Sequence, residues 1–322
     1  MVYFTSDLHL GHKNVIEMCS RPFDNVEDMN DALARNWNER VCKSDTVYIL
    51  GDLIFGKVDP LDFLPRLKGK KILITGNHDR KWLNGGNYEK YFELVTPYLE
   101  TVICNKTFTL CHYPMVEWRA SRKMGCKKLG FHVHGHIHNG YRDGYRDLFL
   151  APHALNAGVD INGFAPVTFD ELVKNNETHA LNMLKSPVDK ALFLASKYHM
   201  YQTDKSGKPY VEHPKAVAAQ LSDEAGKTVG LLHDTLEDTD ISVELLEKTF
   251  APEIVDAVKA MTHDPSEDYF DYIERVKQND IARRVKLADL THNMDMSRFK
   301  FVTDRDVARY EKYKKAYAIL TE

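Results

Sequence analysis

The sequence predicts two domains, a layered α/β domain followed by an all-α domain. Its 322 residues are enough for two ordinary hydrophobic cores. In the first half, short β-rich segments alternate with helical ones, which is the pattern of a layered α/β domain. Beyond about residue 174, the remaining segments have helical periodicity. The content of 43% hydrophobic and 28% charged residues is that of a globular protein.

The first domain is placed at residues 1–173. Segments rich in β-branched and apolar residues predict its strands, at 2–6, 46–50, 71–75, 107–111 and 131–135. Between the first two, the segment VEDMNDALARNWNERV predicts an amphipathic helix, because Met29, Leu33 and Trp37 recur at helical spacing.

The second domain is placed at residues 187–322, after a polar segment at 174–186 that is either a linker or a linking helix and ends before Pro187. All of its segments with clear periodicity are helical. In its YFDYI segment (269–273) the aromatic side chains are expected to pack on the core, although a base-stacking surface is the alternative. The final helix is expected to turn Tyr310, Tyr313 and Tyr317 inward and its lysines to solvent.

Bulk properties exclude several classes of function. A net charge of −4 disfavours binding to long nucleic acids or to anionic membranes. The five cysteines have no CxxC spacing, which favours a reducing compartment. Without a signal-peptide pattern or an apolar run of spanning length, a cytoplasmic location is expected.

Polar residues directly follow the predicted strands of the first domain. They are Asp7, His9, Asp52, Asn77, His78, His112, His136 and His138. Loops after parallel strands converge at one edge of a sheet, so these side chains are expected to meet. Carboxylate, imidazole and amide ligands suit Mn²⁺, Fe²⁺ or Zn²⁺. Two such ions can clamp a phosphoryl group and activate water.

These motifs (D-x-H, G-D, G-N-H-D, H and G-H-x-H, in that order) resemble those of the calcineurin-like metallophosphoesterases over residues 1 to about 172. The resemblance implies an α/β sandwich that binds two divalent metals. One metal would be held by Asp7, His9, Asp52 and His138, and the other by Asp52, Asn77, His112 and His136. The resemblance also implies that His78 is catalytic, and Asp79 is expected to orient it. His12, Lys13 and Arg21 either contact substrate phosphate or are solvated loop residues.

The second domain contains LLHDTLED at residues 231–238. On a continuous helix, His233 and Glu237 share a face, as do Asp234 and Asp238. A solvated acidic face would normally alternate with Lys or Arg, and this one does not.

Two other segments of this domain contain side chains that can bind a metal or a phosphate. His213 precedes Pro214, and Lys286, Asp289 and Asn293 share one face of a predicted helix. Together, His213, His233, Asp234 and Asp289 would make four suitable ligands for one divalent cation.

Residues 188 to about 298 resemble the HD phosphohydrolases, and more closely the hydrolase domain of the RelA/SpoT family. The resemblance implies one Mn²⁺ held by the four ligands, with Glu237 and Asp238 acting on the attacking water. It also implies nucleotide contacts from Lys205, Asn293 and Lys286. The chain departs from the family pattern at Asp204 and Leu290, where basic residues are usual.

The sequence therefore predicts a bifunctional metal-dependent phosphohydrolase with a small phosphorylated nucleotide as substrate. The first domain is expected to be a two-metal phosphoesterase, and the second a 3′-pyrophosphohydrolase of (p)ppGpp-like alarmones. Two alternatives remain. In one, the first domain is a phosphodiesterase or nuclease and the HD domain only senses a nucleotide. In the other, the HD domain acts on a different phosphorylated nucleotide, such as ppApp or NADPH.

Overall fold

The computed structural model describes residues 1–56, 58–140, 144–298 and 303–322, which form two compact units. The first comprises Met1–Lys123 and Lys128–Met183, and the second comprises Met124–Lys127 and Leu184–Glu322. Within the described residues, no helix is both long enough and apolar enough to cross a membrane.

Two four-stranded sheets form the framework of the first unit. The strands of the first sheet all run parallel, in the order β1 (Val2–Thr5), β2 (Thr46–Ile49), β3 (Lys70–Ile74) and β4 (Leu94–Thr96). The second sheet has the order β5 (Tyr98–Ile103), β6 (Lys106–Cys111), β7 (Gly130–His134) and β8 (Ala154–Asn156). Strand β5 is antiparallel to β6, and the other pairs are parallel.

Five helices accompany the sheets within the described residues of this unit. They are α1 (Val15–Met18), α2 (Val26–Arg40), α3 (Asp79–Leu83), α4 (Arg146–Phe149) and α5 (Phe169–Met183). Helix α2 confirms the predicted amphipathic helix, since Met29, Leu33 and Trp37 are all buried. Phe4 of the first sheet stacks on Phe108 of the second, with ring centroids 5.6 Å apart. The aromatic core thus joins the two sheets, as the α/β class requires.

Most of the predicted linker at 174–186 is helical, because α5 continues to Met183. Its buried residues include Leu172 and Leu181, and it packs against β1 and β8. Part of the polar composition that suggested a linker belongs to the inner face of this helix, where Asn175 and Asn176 bond to Asn162 and Asn156 and where His179 is buried. Strands β4, β5 and β8 were not predicted, because they are short or interrupted by polar residues.

The second unit is helical, which confirms the predicted class. Its described helices are α6 (Pro187–Tyr198), α7 (Glu212–Ala219), α8 (Glu224–Leu232), α9 (Thr235–Asp238), α10 (Val243–Thr249), α11 (Pro252–Met261), α12 (Tyr269–Lys277), α13 (Asp280–Met294) and α14 (Asp304–Thr321). Helices α7, α8 and α13 pack against one another. Their apolar contacts bring together the segments that contain His213, His233 and Asp289.

The predicted continuous helix through residues 231–238 is wrong, because α8 ends at Leu232 and α9 begins at Thr235. The side chains of His233 and Thr235 bond to the carbonyl oxygens of Gly230 and Leu232, at 2.8 and 2.6 Å. Polar side chains that bond to nearby carbonyls in this way compete with the helical pattern.

Two expectations about aromatic residues are also partly wrong. Tyr272 and Ile273 are buried in the core, but Phe270 is 36% exposed and Tyr269 lines a cavity described below. In α14, Tyr317 is 37% exposed. Ala316 and Leu320 are the buried residues of that helix.

Candidate metal centres

The loops after the strands hold several predicted ligands in a left-handed backbone conformation. Positive φ values occur at Asp7 (56°), His9 (51°), Asp52 (53°), His136 (73°) and His138 (52°). This conformation is costly for residues other than glycine and is concentrated at functional sites. Five of the residues predicted from the sequence therefore lie in strained loops at the carboxyl ends of β1, β2 and β7.

One cluster combines Asp7 with His9 and His138. Nε2 of each histidine lies 3.9 Å from Oδ1 of Asp7, and Nε2 of His9 lies 3.6 Å from Oδ2 of Asp52. The potential ligand atoms of Asp7, His9 and His138 all lie within 4.8 Å of one another. This spacing suits a single cation between them.

A second cluster surrounds Asp52 and His112. His112 Nε2 lies 3.5 Å from Asp52 Oδ2, and these two residues also group with Asp7. Asn77 Oδ1 is 3.1 Å from both His112 Nε2 and His136 Nδ1. Asp52 thus lies between the two clusters, the arrangement expected of a bridging carboxylate.

The ring nitrogens of the buried histidines face in defined directions. Nδ1 of His9 is 3.3 Å from Nδ1 of His12, Nδ1 of His112 is 2.6 Å from the carbonyl oxygen of Leu50, and Nδ1 of His138 is 2.8 Å from Asp160. When Nδ1 carries the proton, Nε2 keeps its lone pair for a metal. In each case Nε2 faces the carboxylates.

The donor set fits a divalent cation. Nε2 of His9 is buried and makes no hydrogen bond within the described residues. Burial lowers the pKa of this ring to about 2, which keeps it neutral. Burial also lowers the pKa of His138, but Asp160 and Asp7 outweigh it and raise that pKa to about 10. Carboxylates that hold a proton so strongly also favour a metal cation at the same place.

Asp52 remains ionised in this setting. Burial raises its pKa, but the hydrogen bond and charge of His112 and the backbone N–H of His78 outweigh that effect and lower the pKa to about 2. His78 itself is partly exposed, with Nε2 3.9 Å from Asp52 Oδ2 and its ring 4.8 Å from Phe55. Its position at the surface of the cluster suits contact with a substrate.

Asp79 and Arg21 have different contacts from those expected. Asp79 does not hold the His78 ring, because its two oxygens accept four other N–H donors, from Asp52, Leu53, Gly76 and Trp82. The alternative of substrate contact is wrong for Arg21, which is 4% exposed and pairs with Asp160 at 2.7 Å. The solvated-loop reading is wrong for it as well. His12 stacks on Phe55, with ring centroids 3.6 Å apart, and Lys13 is exposed.

The second unit brings together all four residues predicted as ligands. His213 Nε2 lies 3.2 Å from Asp289 Oδ1 and 3.5 Å from Asp234 Oδ2. His233 Nε2 lies 3.7 and 3.1 Å from the same two oxygens. Ligand atoms of His213, His233 and Asp289 lie within 4.8 Å of one another, and all three residues are buried.

In this cluster too, contacts at Nδ1 of the histidines leave Nε2 directed at the carboxylates. Nδ1 of His233 bonds to the carbonyl oxygen of Gly230, and Nδ1 of His213 lies 2.7 Å from Nδ1 of His292. Nε2 of His233 is buried and makes no hydrogen bond in the described part of the chain, although it lies close to Asp234. Burial raises the pKa of Asp289, but Lys286 and the two histidines lower it well below its usual value. Asp289 therefore stays ionised beside two imidazole rings, and this set of donor types fits a divalent cation.

Two more carboxylates border this cluster. Tyr210 donates its hydroxyl proton toward Asp234 Oδ2 at 2.6 Å and contacts Asp238 Oδ2 at 3.2 Å. Glu237 accepts the backbone N–H of His263 at 3.0 Å. Glu237 and Asp238 are exposed, so water can reach both of them.

A cavity of about 480 Å³ opens beside the cluster. Its walls include Asp234, Asp289, Glu237 and Asp238, the predicted nucleotide contacts Lys205, Lys286 and Asn293, and also Arg309, Lys312, Tyr269 and Tyr313. This volume is in the range of small-molecule sites. Sequence reasoning missed its α14 wall, since the lysines of that helix were expected to be solvated.

One charged and one neutral side chain bond to the carboxylate of Asp289. Lys286 Nζ lies 3.0 Å from Asp289 Oδ2, and Asn293 donates to Asp289 Oδ1 at 2.6 Å.

Two basic residues of α14 lie at the cavity wall. Lys312 Nζ lies 3.5 Å from the ring centroid of Tyr269, a cation–π contact. Nε of Arg309 is buried and has no hydrogen-bond partner in the described residues.

The two departures from the family pattern differ in position. Leu290 is fully buried and does not line the cavity. Asp204 does line it, and its Oδ1 accepts bonds from the backbone of Ser206 and Lys208. Only Asp204 therefore bears directly on the cavity.

Comparison with known proteins relates each unit to a family. The calcineurin-like phosphoesterase family matches residues 1–161, half of the chain, and the HD domain family matches residues 191–318. An uncharacterized protein of Methanocaldococcus jannaschii is 32% identical over 176 residues, 54% of this chain and 89% of that protein.

Two relatives concern the second unit. A probable guanosine-3′,5′-bis(diphosphate) 3′-pyrophosphohydrolase of Synechocystis is 38% identical over 122 residues. The match covers 33% of this chain and only 16% of that protein. Among solved structures, a metazoan ortholog of SpoT that hydrolyzes ppGpp is 28% identical, with a TM-score of 0.37, over 42% of this chain and 86% of that one.

Proposed function

Because the chain belongs to the calcineurin-like phosphoesterase family and also carries an HD domain, it is a metal-dependent phosphoric-ester hydrolase, and we propose that it has two separate hydrolytic centres. The first unit would be a two-metal phosphoesterase that uses Mn²⁺, Fe²⁺ or Zn²⁺. The second would be a Mn²⁺-dependent nucleotide 3′-pyrophosphohydrolase acting on (p)ppGpp-like alarmones. The name of the Synechocystis relative supports this substrate class.

The observation that carries the proposal is the convergence of His213, His233, Asp234 and Asp289 beside a cavity whose walls include both carboxylates and basic side chains. A divalent cation bound there would neutralise phosphate charge and lower the pKa of water. Lys205, Lys286, Arg309 and Lys312 would supply further positive charge to the phosphates of a nucleotide.

Glu237 and Asp238 would take the proton from the attacking water. Both are accessible, and Tyr210 holds Asp238 beside the ligand Asp234. A general base must lie within reach of the proton that it abstracts, and the border of the metal cluster meets that condition. Lys286 and Asn293 would fix Asp289 and, with Lys205, bind the nucleotide.

In the first unit, Asp7, His9, Asp52 and His138 would hold one metal. Asp52, Asn77, His112 and His136 would hold the other. His78 would protonate the leaving oxygen, because its ring is partly exposed at the edge of the cluster. Asp52 would need to stay ionised between the two metals, and its low pKa is consistent with that role.

A different nucleotide substrate for the second unit is favoured by one observation. Asp204 lines the cavity at a position where alarmone hydrolases usually have a basic residue. A carboxylate there disfavours a neighbouring phosphate, whereas its ability to accept N–H groups suits guanine and adenine alike. ppApp and NADPH, which differ from ppGpp in base or in phosphate positions, are the second candidates.

The test is a hydrolysis assay with Mn²⁺ and a panel of ppGpp, ppApp, NADPH, cyclic dinucleotides and a bis-aryl phosphodiester. Wild type is compared with Asp52→Asn and with the double variant His233→Ala, Asp234→Ala. We expect the first variant to lose phosphodiester cleavage and the second to lose nucleotide cleavage. Loss of the same activity in both variants would argue against two independent centres. Unchanged ppGpp cleavage in the double variant would remove the alarmone assignment.

A further inference from the structure

Asp160 joins two parts of the first metal cluster and has no role in the sequence analysis. It follows β8, at a point where Gly158 forms a parallel bridge with Ser6 and the Val159 N–H donates to Ser6 O at 3.0 Å. Its side chain is 1% exposed. Oδ2 lies 2.8 Å from Nδ1 of His138, so one of its oxygens holds a predicted ligand directly.

Arg21 neutralises this buried carboxylate and extends the connection. Its Nε donates to Asp160 Oδ1 at 2.7 Å, and its side chain is fully buried. Its two terminal nitrogens also donate to the carbonyl oxygens of Asp7, at 2.7 Å, and Leu8, at 2.9 Å. The guanidinium therefore holds the backbone at the left-handed residue Asp7 and at Leu8, which separates Asp7 from His9.

A carboxylate on Nδ1 selects the tautomer of His138. A neutral imidazole has one N–H and one lone pair, so an Nδ1–H that donates to Asp160 leaves the lone pair on Nε2. Nε2 lies 3.9 Å from Asp7 Oδ1, on the cluster side of the ring. Asp160 and Arg21 thus hold a ligand from the loop after β7 and a ligand from the loop after β1 in one network.

We propose that Asp160, through His138 and Arg21, is a positioning residue of the first metal centre. It does not bind the metal. It orients one ligand and, through the guanidinium, fixes the backbone of another. This inference rests on the proposed function, because it takes His138 and Asp7 as metal ligands.

The alternative is that Asp160 and Arg21 are only a structural ion pair. In that case the two residues would only neutralise each other's charge, and replacing both with apolar residues can leave the stability of the protein unchanged. Here the same carboxylate oxygen that bonds to His138 also accepts a bond from Arg21, at 3.1 Å. If Asp160 positions His138, its removal should weaken metal binding. If it only pairs with Arg21, its removal should leave metal binding unchanged in the folded protein.

The experiment measures Mn²⁺ binding calorimetrically in the full chain that carries His233→Ala and Asp234→Ala, so that the heat comes from the first unit. Asp160→Ala removes the acceptor of His138 and should weaken Mn²⁺ binding by about 10- to 100-fold. Asp160→Asn keeps an oxygen that accepts from Nδ1–H and should bind more tightly than Asp160→Ala. Asp31→Asn, in an exposed pair with Arg66, is the matched control and should bind as wild type.

Folding is followed by tryptophan fluorescence without metal, because the three tryptophans, Trp37, Trp82 and Trp118, all lie in the first unit. If Asp160→Ala does not fold, the double variant Asp160→Leu, Arg21→Met replaces it. That variant removes both charges together and leaves no unpaired buried arginine. We expect it to show the same loss of Mn²⁺ affinity.

Wild-type affinity in the folded Asp160→Ala or double variant would overturn the positioning role. Equal losses in Asp160→Asn and Asp160→Ala would also overturn it, since the retained acceptor would then have no effect. His138→Ala separates this inference from the function on which it rests. If His138→Ala binds Mn²⁺ normally, the ligand assignment fails; if it weakens binding while Asp160→Ala does not, only the present inference fails.

Discussion

The Asp79→Asn substitution distinguishes a structural brace from a residue that orients His78. Asp79 is completely buried. Its Oδ2 accepts the backbone N–H groups of Asp52 and Gly76, both at 2.8 Å. Its Oδ1 accepts the N–H of Leu53 at 3.0 Å and Nε1–H of Trp82 at 2.9 Å. The carboxylate therefore ties the loop after β2 to the loop after β3.

The expected loss follows from the number of acceptors. An asparagine has one carbonyl oxygen, which can retain two of the four donors. The other two N–H groups would face the amide nitrogen, which is itself a donor. A buried donor without a partner costs about 1–3 kcal/mol, so the free energy of unfolding should fall by roughly 2–6 kcal/mol.

The assay is urea unfolding of the first unit, followed by tryptophan fluorescence in the presence of a chelator. The chelator separates the brace from any effect of metal binding. Asp31→Asn is again the control. Its ion pair with Arg66 is exposed, so it should contribute less than about 1 kcal/mol.

The opposite outcome would refute the reasoning. If Asp79→Asn unfolds at the wild-type urea concentration but loses phosphodiester cleavage, then its main role is to orient a catalytic group. A large loss of stability with little further loss of activity in the folded fraction is the result expected from the four hydrogen bonds.

Three further predictions concern the second centre, acid stability and metals. Tyr210→Phe keeps the ring but removes the hydroxyl that contacts Asp234 and Asp238, so steady-state kinetics should show a kcat for nucleotide hydrolysis lower by about tenfold or more; an unchanged kcat would contradict this role. Burial and the nearby His132 lower the pKa of His153 to about 4, and together they outweigh the hydrogen bond from Nε2 to Ser121 O, which raises it. The neutral His153 therefore contributes its full share of stability above about pH 6.5, and this share is lost as the pH falls toward 4. Between about pH 7.5 and 5, urea unfolding should show that the free energy of unfolding of the wild type falls by about 2 kcal/mol more than that of His153→Gln. Equal falls in the two proteins would exclude this cause. Mn²⁺ at about 100 times its Kd should stabilise the folded chain by about 2.7 kcal/mol relative to chelator, and thermal unfolding with no shift would argue against bound metal.

The convergence of the proposed ligands was predictable because their residue types are typical of metal sites and because they follow parallel strands. Asp7, Asp52 and His112 come from three separate strands, yet the topology of parallel sheets brings their ends together. The α/β and helical classes followed from periodicity in the same way. The short strand β8 has too few residues for such a pattern.

The long-range contacts of charged residues were not predictable from local sequence. A substrate contact was open for Arg21 because it lies near the D-x-H motif, but its partner Asp160 is 139 positions away. Lys312 belongs to a lysine-rich helix that suggests solvation, yet its ammonium group lies over Tyr269 at the cavity wall. Both outcomes depend on long-range packing, which sequence spacing does not encode.

The groups that contact Nδ1 of the histidines, and so set their tautomers, could not be predicted from the sequence. The reason is chemical. Nδ1 can be held by any acceptor, and the two centres use a carboxylate at His138, a backbone carbonyl at His233 and a second imidazole at His213. A function that different atoms can perform leaves no fixed residue type and no fixed spacing. The proposed metal ligands are therefore visible in a single sequence, whereas the residues that contact their Nδ1 atoms, Asp160 and His292 among them, are visible only in the fold.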